Sequence, residues 1–216
     1  MRRSPCSFFA QACERGDLDE AVRSHHDGGV DIHAGRDQVF RRACRNGRLN
    51  VAKWLHGLGG VDIFAMDALD DGALKWACAG GHVEVAKWLH GLGCVSPHAE
   101  AEGWFQEACG HGHLEVAKWL HGLGGVDIHG LRDTAFVRAC CGGHLVLAQW
   151  LFSLGGVDIH AGHDVAFQLA CCHGYVDTAR WLIALHPEWD WNPRDMAFLK
   201  RWSTTRDAWM RAVVVA

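Results

Sequence analysis

Residues 108–121 read Ala-Cys-Gly-His-Gly-His-Leu-Glu-Val-Ala-Lys-Trp-Leu-His, and most of that skeleton returns at a fixed step through the chain. Cys13, Cys44, Cys78, Cys109, Cys140 and Cys171 are separated by 31, 34, 31, 31 and 31 residues. The same steps separate Gly16, Gly47, Gly81, Gly112, Gly143 and Gly174, and again Phe9, Phe40, Leu74, Phe105, Phe136 and Phe167. Trp54, Trp88, Trp119, Trp150 and Trp181 keep the register. One more step of 31 from Phe167 reaches Phe198, so six full units are followed by a partial seventh. Self-similarity at such a period marks a repeat architecture in which each unit is one supersecondary element.

Each unit carries two helical signals. An acidic residue (Asp37, Asp71, Glu102, Asp133, Asp164 or Asp195) precedes a short apolar-rich segment such as Val-Phe-Arg-Arg-Ala-Cys, which predicts an N-cap and a first helix. Asn46-Gly47 or Gly142-Gly143 then stops it. The second segment, typified by Leu114 to His121, sets Leu114, Ala117 and Leu120 beside Val116 and Trp119 on a broad apolar face, predicting the second helix. Glu84 with Lys87 and Glu115 with Lys118 stand three apart on its polar side, pairs worth about 0.2–0.5 kcal/mol each. Gly-Gly-Val-Asp-Ile-His then leads onward as a turn or extended connector.

A helix pair of this length cannot bury both faces by itself, so stacking is obligatory and the end units must differ from the middle. In the first unit Arg23-Ser24 stands where later units have Trp-Leu, and near the other end His186-Pro187-Glu188-Trp189-Asp190-Trp191 replaces the usual connector. The expected organisation is one domain over 1–216. Its units run about 6–36 as N-terminal cap, then 37–70, 71–101, 102–132, 133–163 and 164–194, with 195–216 as C-terminal cap. The opening Met1 and the closing cap lean toward a complete product rather than a fragment serving as the targeting arm of a larger system.

Composition agrees with this and excludes other classes. Of 216 residues 49% are apolar and 21% charged, so the chain is neither disordered nor collagenous. The formal charge of −4 argues against a nucleic-acid partner, and no stretch approaches the ~18 apolar residues of a membrane span. The basic start has too short an apolar run for a secretory signal, so an intracellular, cytoplasmic location is expected. Ten cysteines in such a chain do not read as a disulfide framework. Equivalent positions in stacked helices lie roughly 8–10 Å apart, beyond the ~7 Å between Cα atoms that a disulfide spans. Each register cysteine is therefore expected to be a small buried hydrophobe.

The stretch 108–120 resembles the Ala-Ala-x-x-Gly-His-x-x-Val-Val-x-x-Leu core of the ankyrin repeat, and the resemblance runs over about residues 6–212. It departs in detail: Asp-x-Ala-Phe stands for the family's Thr-Pro-Leu-His opening, Cys for the second Ala, and Trp for a Leu. The Cys/Trp variant is similar to arrays of protists and large DNA viruses, which would place a viral copy in the host cytoplasm. The resemblance implies an all-α solenoid of stacked helix-turn-helix units joined by short loops or trimmed β-hairpins. It also implies a non-catalytic scaffold that binds a protein or peptide through its concave face and loop tips. No cofactor is implied, and a monomer is expected.

Candidate contact residues follow from positions that vary between units. Arg41, Arg42 and Arg45 form a basic patch, Trp76 stands where other units have Arg42, Glu107 or Arg138, and those two residues continue the same helix face. Trp76 is the expected apolar anchor, with the arginines steering an acidic peptide. The 34-residue step comes from three extra residues at 65–71, which predict one full-length finger bearing Met66 and Leu69. The register tryptophans are expected in the core, His82, His113 and His144 as inter-unit bridges, and His56, His90 and His121 at helix C-termini. Cys141, Cys172 and His173 are the residues that an alternative metal or thiol site would use. No C-x-x-C or H-x-x-x-H spacing accompanies them.

Overall fold

A computed structural model describes residues 5–63, 72–93 and 99–185. The expected finger bearing Met66 and Leu69, the acidic positions 71 and 195, and the C-terminal cap lie outside the described residues. Twelve helices and no strand occur among the described residues. They are α1 (Pro5–Arg15), α2 (Leu18–His26), α3 (Ala34–Arg45), α4 (Leu49–Gly57), α5 (Ala73–Ala79), α6 (Val83–Gly91), α7 (Ala99–Gly110), α8 (Leu114–Gly122), α9 (Gly130–Cys141), α10 (Leu145–Ser153), α11 (Ala161–His173) and α12 (Val176–Leu185). Helices of 7 to 13 residues are marginal in water alone, so packing must supply their stability.

The chain divides into two compact units, Met1–Ala108 with Glu115–Val126, and Cys109–Leu114 with Asp127–Ala216. In the first, α1 pairs with α2, α3 with α4 and α5 with α6, and the first helices α1, α3 and α5 lie side by side in turn. In the second, α9 pairs with α10, α11 with α12, and α9 lies beside α11. The buried residues repeat accordingly. Phe40, Ala43 and Cys44 of α3 and Val51, Ala52 and Leu55 of α4 are all at 1% exposure or less. Burying a Phe or Leu of this kind contributes about 1.5–3 kcal/mol each. The ion pairs Glu84–Lys87 at 3.0 Å and Glu115–Lys118 at 3.4 Å form on the polar faces as the spacing predicts.

The register cysteines are buried, Cys13, Cys44, Cys78, Cys109 and Cys140 completely and Cys171 nearly so. Burial pushes the thiols of Cys13, Cys78, Cys109 and Cys140 up to about 12. At pH 8 only about one in ten thousand of such thiols is ionised, so none is a nucleophile in the folded chain. Maleimide labelling with peptide mapping is therefore expected to modify exposed Cys6 first and half-buried Cys141 and Cys172 more slowly. The six register cysteines should react only after denaturation; rapid labelling of any of them in the folded protein contradicts this packing.

Three expectations need correction. The register tryptophans are half-buried rather than core. Four of them pack edge-on against the preceding repeat: Trp54 lies 6.3 Å from Phe9 and 5.7 Å, nearly perpendicular, from His25. His56–Trp88 and His90–Trp119 repeat that 5.7 Å edge contact, and Phe152–Trp181 repeats it with Phe in the histidine's place. An indole is too large for the space that Phe, Ala and Cys already fill, so it closes the layer from outside. The histidines at the helix ends are thus aromatic partners of the next repeat.

The second correction concerns the acidic residues ahead of the first helix. Asp37, Asp133 and Asp164 do not cap it; all three have left-handed backbones, with φ of 59°, 57° and 61°. In two connectors a full left-handed turn forms, at Gly35-Arg36-Asp37 and Leu131-Arg132-Asp133. The carboxylates tie one connector to the following one instead. Asp37 accepts the ring N–H of His33 at 2.6 Å on Oδ1 and the backbone N–H of Asp62 at 3.0 Å on Oδ2. Asp133 does the same with His129 at 2.7 Å and Asp158 at 3.0 Å. An ionised carboxylate only accepts, so each ring donates from Nδ1. Asp31, Asp127 and Asp158 in turn fold the connector by accepting from the backbone N–H two residues on, each at 2.9 Å. Among the described residues this clip, rather than a β-hairpin, links one connector to the following one. The third correction follows: Glu102 lies inside α7 and caps nothing at its start.

The glycine that ends each first helix has a separate task. His144 Nε2 sits 3.1 Å from the Gly110 carbonyl, its ring lying against Gly112, and His82 lies likewise against Gly47. Arg48 and Tyr175 fill the equivalent places against Gly16 and Gly143. The expected bridging role of His82 and His144 is what the structure shows. Burial lowers the His82 ring below the ordinary histidine range, opposed by its hydrogen bond to the Arg45 backbone and reinforced by the Arg48 charge.

Candidate functional site

The groove of interest lies within the first compact unit, between α3 and α5. Burial of Phe40, Ala43 and Cys44 on one side of α3 turns Gln38, Arg42 and Arg45 outward on the other. On α5, Ala73, Leu74, Ala77 and Cys78 are buried, which leaves Trp76 half-exposed and facing α3. Gln38, Arg41, Arg42, Arg45 and Trp76 together line a cavity of about 170 Å³.

The three arginines play different parts. Arg41 is 8% exposed and donates from Nη2 to the Gly35 carbonyl at 3.0 Å, so it braces the left-handed turn while its edge lines the groove. Arg42 reaches back to α1 and pairs with Glu14, Nη1 to Oε1 at 2.6 Å. Arg45 lies over the Trp76 indole with its guanidinium carbon 4.0 Å from the ring centroid. That is a cation–π contact, which sets the Arg45 charge directly against the Trp76 ring. The arrangement presents positive charge beside an apolar ring face, which suits a peptide carrying carboxylates and one large apolar side chain.

The groove thus brings together Arg41, Arg42, Arg45 and Trp76, four of the residues singled out in the sequence. Glu107, half-buried on α7, and Arg138, exposed on α9, belong to different compact units and do not line it. Met66 and Leu69 lie outside the described residues. Trp104, the other tryptophan of a first helix, is buried at 9% exposure and offers no ring face. Gln38 and Glu14 carry no signal in the sequence pattern, and Arg48, which the sequence groups with the arginines of the basic patch, acts instead as a brace. Arg48 donates from Nε to the Glu14 carbonyl at 3.0 Å and so pins the residue whose side chain holds Arg42. The available signal was its register: Arg48 occupies the place that His82, His113 and His144 take in other repeats.

Cys141 and His173 do approach, Sγ to Nδ1 at 4.0 Å, but the ring nitrogen lies closer to the Leu169 carbonyl, at 2.8 Å. Burial raises the Cys172 thiol above its ordinary value. Among the described residues no three His, Cys, Asp or Glu side chains gather closely enough to hold a metal ion. Nor is any described helix long and apolar enough to cross a membrane.

Comparison with known proteins accords with the fold. Residues 40–90 match a family model described as ankyrin repeats (many copies), and residues 105–195 match one described as ankyrin repeats (3 copies). The chain is similar to the crystal structure of the human ASB11 ankyrin repeat domain, with a TM-score of 0.64 and 22% identity over 85% of this chain and 84% of that one. At that identity the likeness concerns the fold. No curated protein sequence matches the chain.

Proposed function

The chain belongs to the ankyrin repeat family, and from that premise we propose that it is a non-catalytic scaffold whose α3/α5 groove takes an acidic segment of a partner protein. Ankyrin repeats are generally protein–protein interaction modules and typically not enzymes, which supports the reading at the level of class. The observation that carries the choice of site is the Arg45–Trp76 cation–π pair, which lines one cavity with Arg41 and Arg42. Repeated positions serve the fold in every layer, whereas this combination occurs once in the chain. Apolar anchors with adjoining arginines dominate interface energetics, and charge complementarity steers the encounter. Glu107 on α7 and Arg138 on α9 are proposed as secondary contacts, and Met66 and Leu69 as contacts from the 65–71 insertion. The chain is proposed to act as one domain and as a monomer.

Panning a displayed library of random dodecapeptides against the parent protein is expected to enrich Asp- and Glu-rich sequences with one large apolar residue. Trp76→Ala should weaken the selected peptides about 30-fold, the size of an interface hot spot, while its thermal unfolding stays close to the parent's. Equal binding by the variant and the parent removes Trp76 from the interface, and enrichment of basic peptides overturns the reading.

A further inference from the structure

Glu14 sits where a bound carboxylate belongs. Its Oε1 lies 2.6 Å from Arg42 Nη1 across the gap between α1 and α3, and Arg42 is one of the groove-lining residues. We infer that Glu14 is an internal stand-in for the ligand: its carboxylate holds the Arg42 seat until an acidic peptide displaces it. This inference rests on the proposed acidic-peptide reading of the groove and deepens it by assigning the seat and its competitor.

Three observations support exchange rather than a fixed structural pair. The two side chains are 50% and 33% exposed, so water can take over either partner as the other leaves, and ion pairs that open to solvent contribute little to stability. The backbone of Glu14 is held independently by Arg48 Nε on its carbonyl at 3.0 Å, so the residue keeps its place when its side chain swings away. Arg42, with half its side chain exposed, can follow a carboxylate, whereas Arg41 is buried against the Gly35 carbonyl and Arg45 is laid on Trp76. An incoming glutamate would accept from Arg42 in place of Glu14 while a neighbouring apolar side chain rests on the free part of the Trp76 ring. The guanidinium edge of Arg45 then meets a second carboxylate. Selectivity for acidic segments follows, because a neutral peptide cannot offset the loss of the Glu14 contact.

The test uses fluorescence polarisation with a labelled dodecapeptide alternating Glu and Leu, its Gln/Leu counterpart as control, and a labelled twelve-nucleotide single-stranded oligonucleotide. Glu14→Gln is expected to tighten the Glu/Leu peptide about 5- to 10-fold at low salt, an effect that shrinks as ionic strength rises. Adding Arg42→Ala to Glu14→Gln should erase that gain and return the affinity to that of Arg42→Ala alone. Glu14→Ser, which cannot hydrogen-bond Arg42 at the same reach, should reproduce the gain, and thermal melts confirm that each variant is folded. Unchanged or weaker binding by both Glu14 variants, with Trp76→Ala still lowering affinity, overturns the inference and leaves the groove reading standing. Absence of peptide binding by the parent and by both Glu14 variants overturns both. Tighter binding of the oligonucleotide than of the peptide also overturns both, by assigning the basic groove to a phosphate backbone.

Discussion

Gly112→Ala is expected to destabilise the protein by about 3 kcal/mol, seen as a fall of about 6–12 °C in the thermal midpoint for a chain of this size. Gly112 has φ of +77°, a left-handed conformation that costs a residue bearing Cβ about 1–2 kcal/mol. The remainder comes from a collision: a Cβ built there meets the His144 imidazole well inside van der Waals contact. His144 cannot step aside, because its Nε2 is engaged with the Gly110 carbonyl of the preceding repeat. The two causes separate in a double mutant. Gly112→Ala with His144→Ala should lose less than the sum of the single losses, since the collision disappears while the backbone strain remains. Strict additivity would show that the glycine serves only the turn. Gly143, at φ of +72° and covered by the Tyr175 ring, should behave alike.

The second large effect lies in the connector clip. Asp133→Ala should cost about 3 kcal/mol, because it leaves both the His129 ring N–H and the Asp158 backbone N–H without their acceptor. It also loses a residue type that tolerates the left-handed backbone better than Ala does. Asp133→Asn should cost only about 1 kcal/mol. The amide oxygen still accepts from Asp158, and the amide N–H₂ can donate to the other tautomer of His129, so only the charge-assisted part is lost. Chemical denaturation of the two variants checks the order. Equal losses for Ala and Asn would mean that the carboxylate contributes through its charge alone, not through its two acceptors.

Much of this clip is written in the sequence. Asp-Ile-His followed four residues after His by Asp recurs at 31–37, 127–133 and 158–164. The recurrence is visible along the chain, but the preference of aspartate for helix N-caps points to a local role instead. Where that rule does hold is at Asp17, whose side chain accepts from the Glu20 N–H at 3.1 Å, at a place the repeat pattern did not single out. The tryptophan column shows the opposite limit. Helical periodicity puts Trp54 and its equivalents on the apolar side of the second helix, yet periodicity carries no information about volume. Whether an indole fits inside a layer or closes it from outside depends on how far apart two helices stand.

The helix pairs, their register, the buried cysteines and the bridging histidines were legible in the chain itself. They are consequences of local spacing repeated often enough that chance is excluded, and of the need for each pair to hide its apolar faces against another. Three-dimensional packing decided the rest: that Asp37 and Asp133 tie one connector to the following one rather than capping their own helix, that Arg41 is buried while Arg42 pairs with Glu14 at the surface, and that Arg45 lies on Trp76. Those outcomes depend on which side chains from separate repeats reach the same few ångströms. One period read along the chain states which residues are equivalent, and only the approach of neighbouring layers states which of them touch.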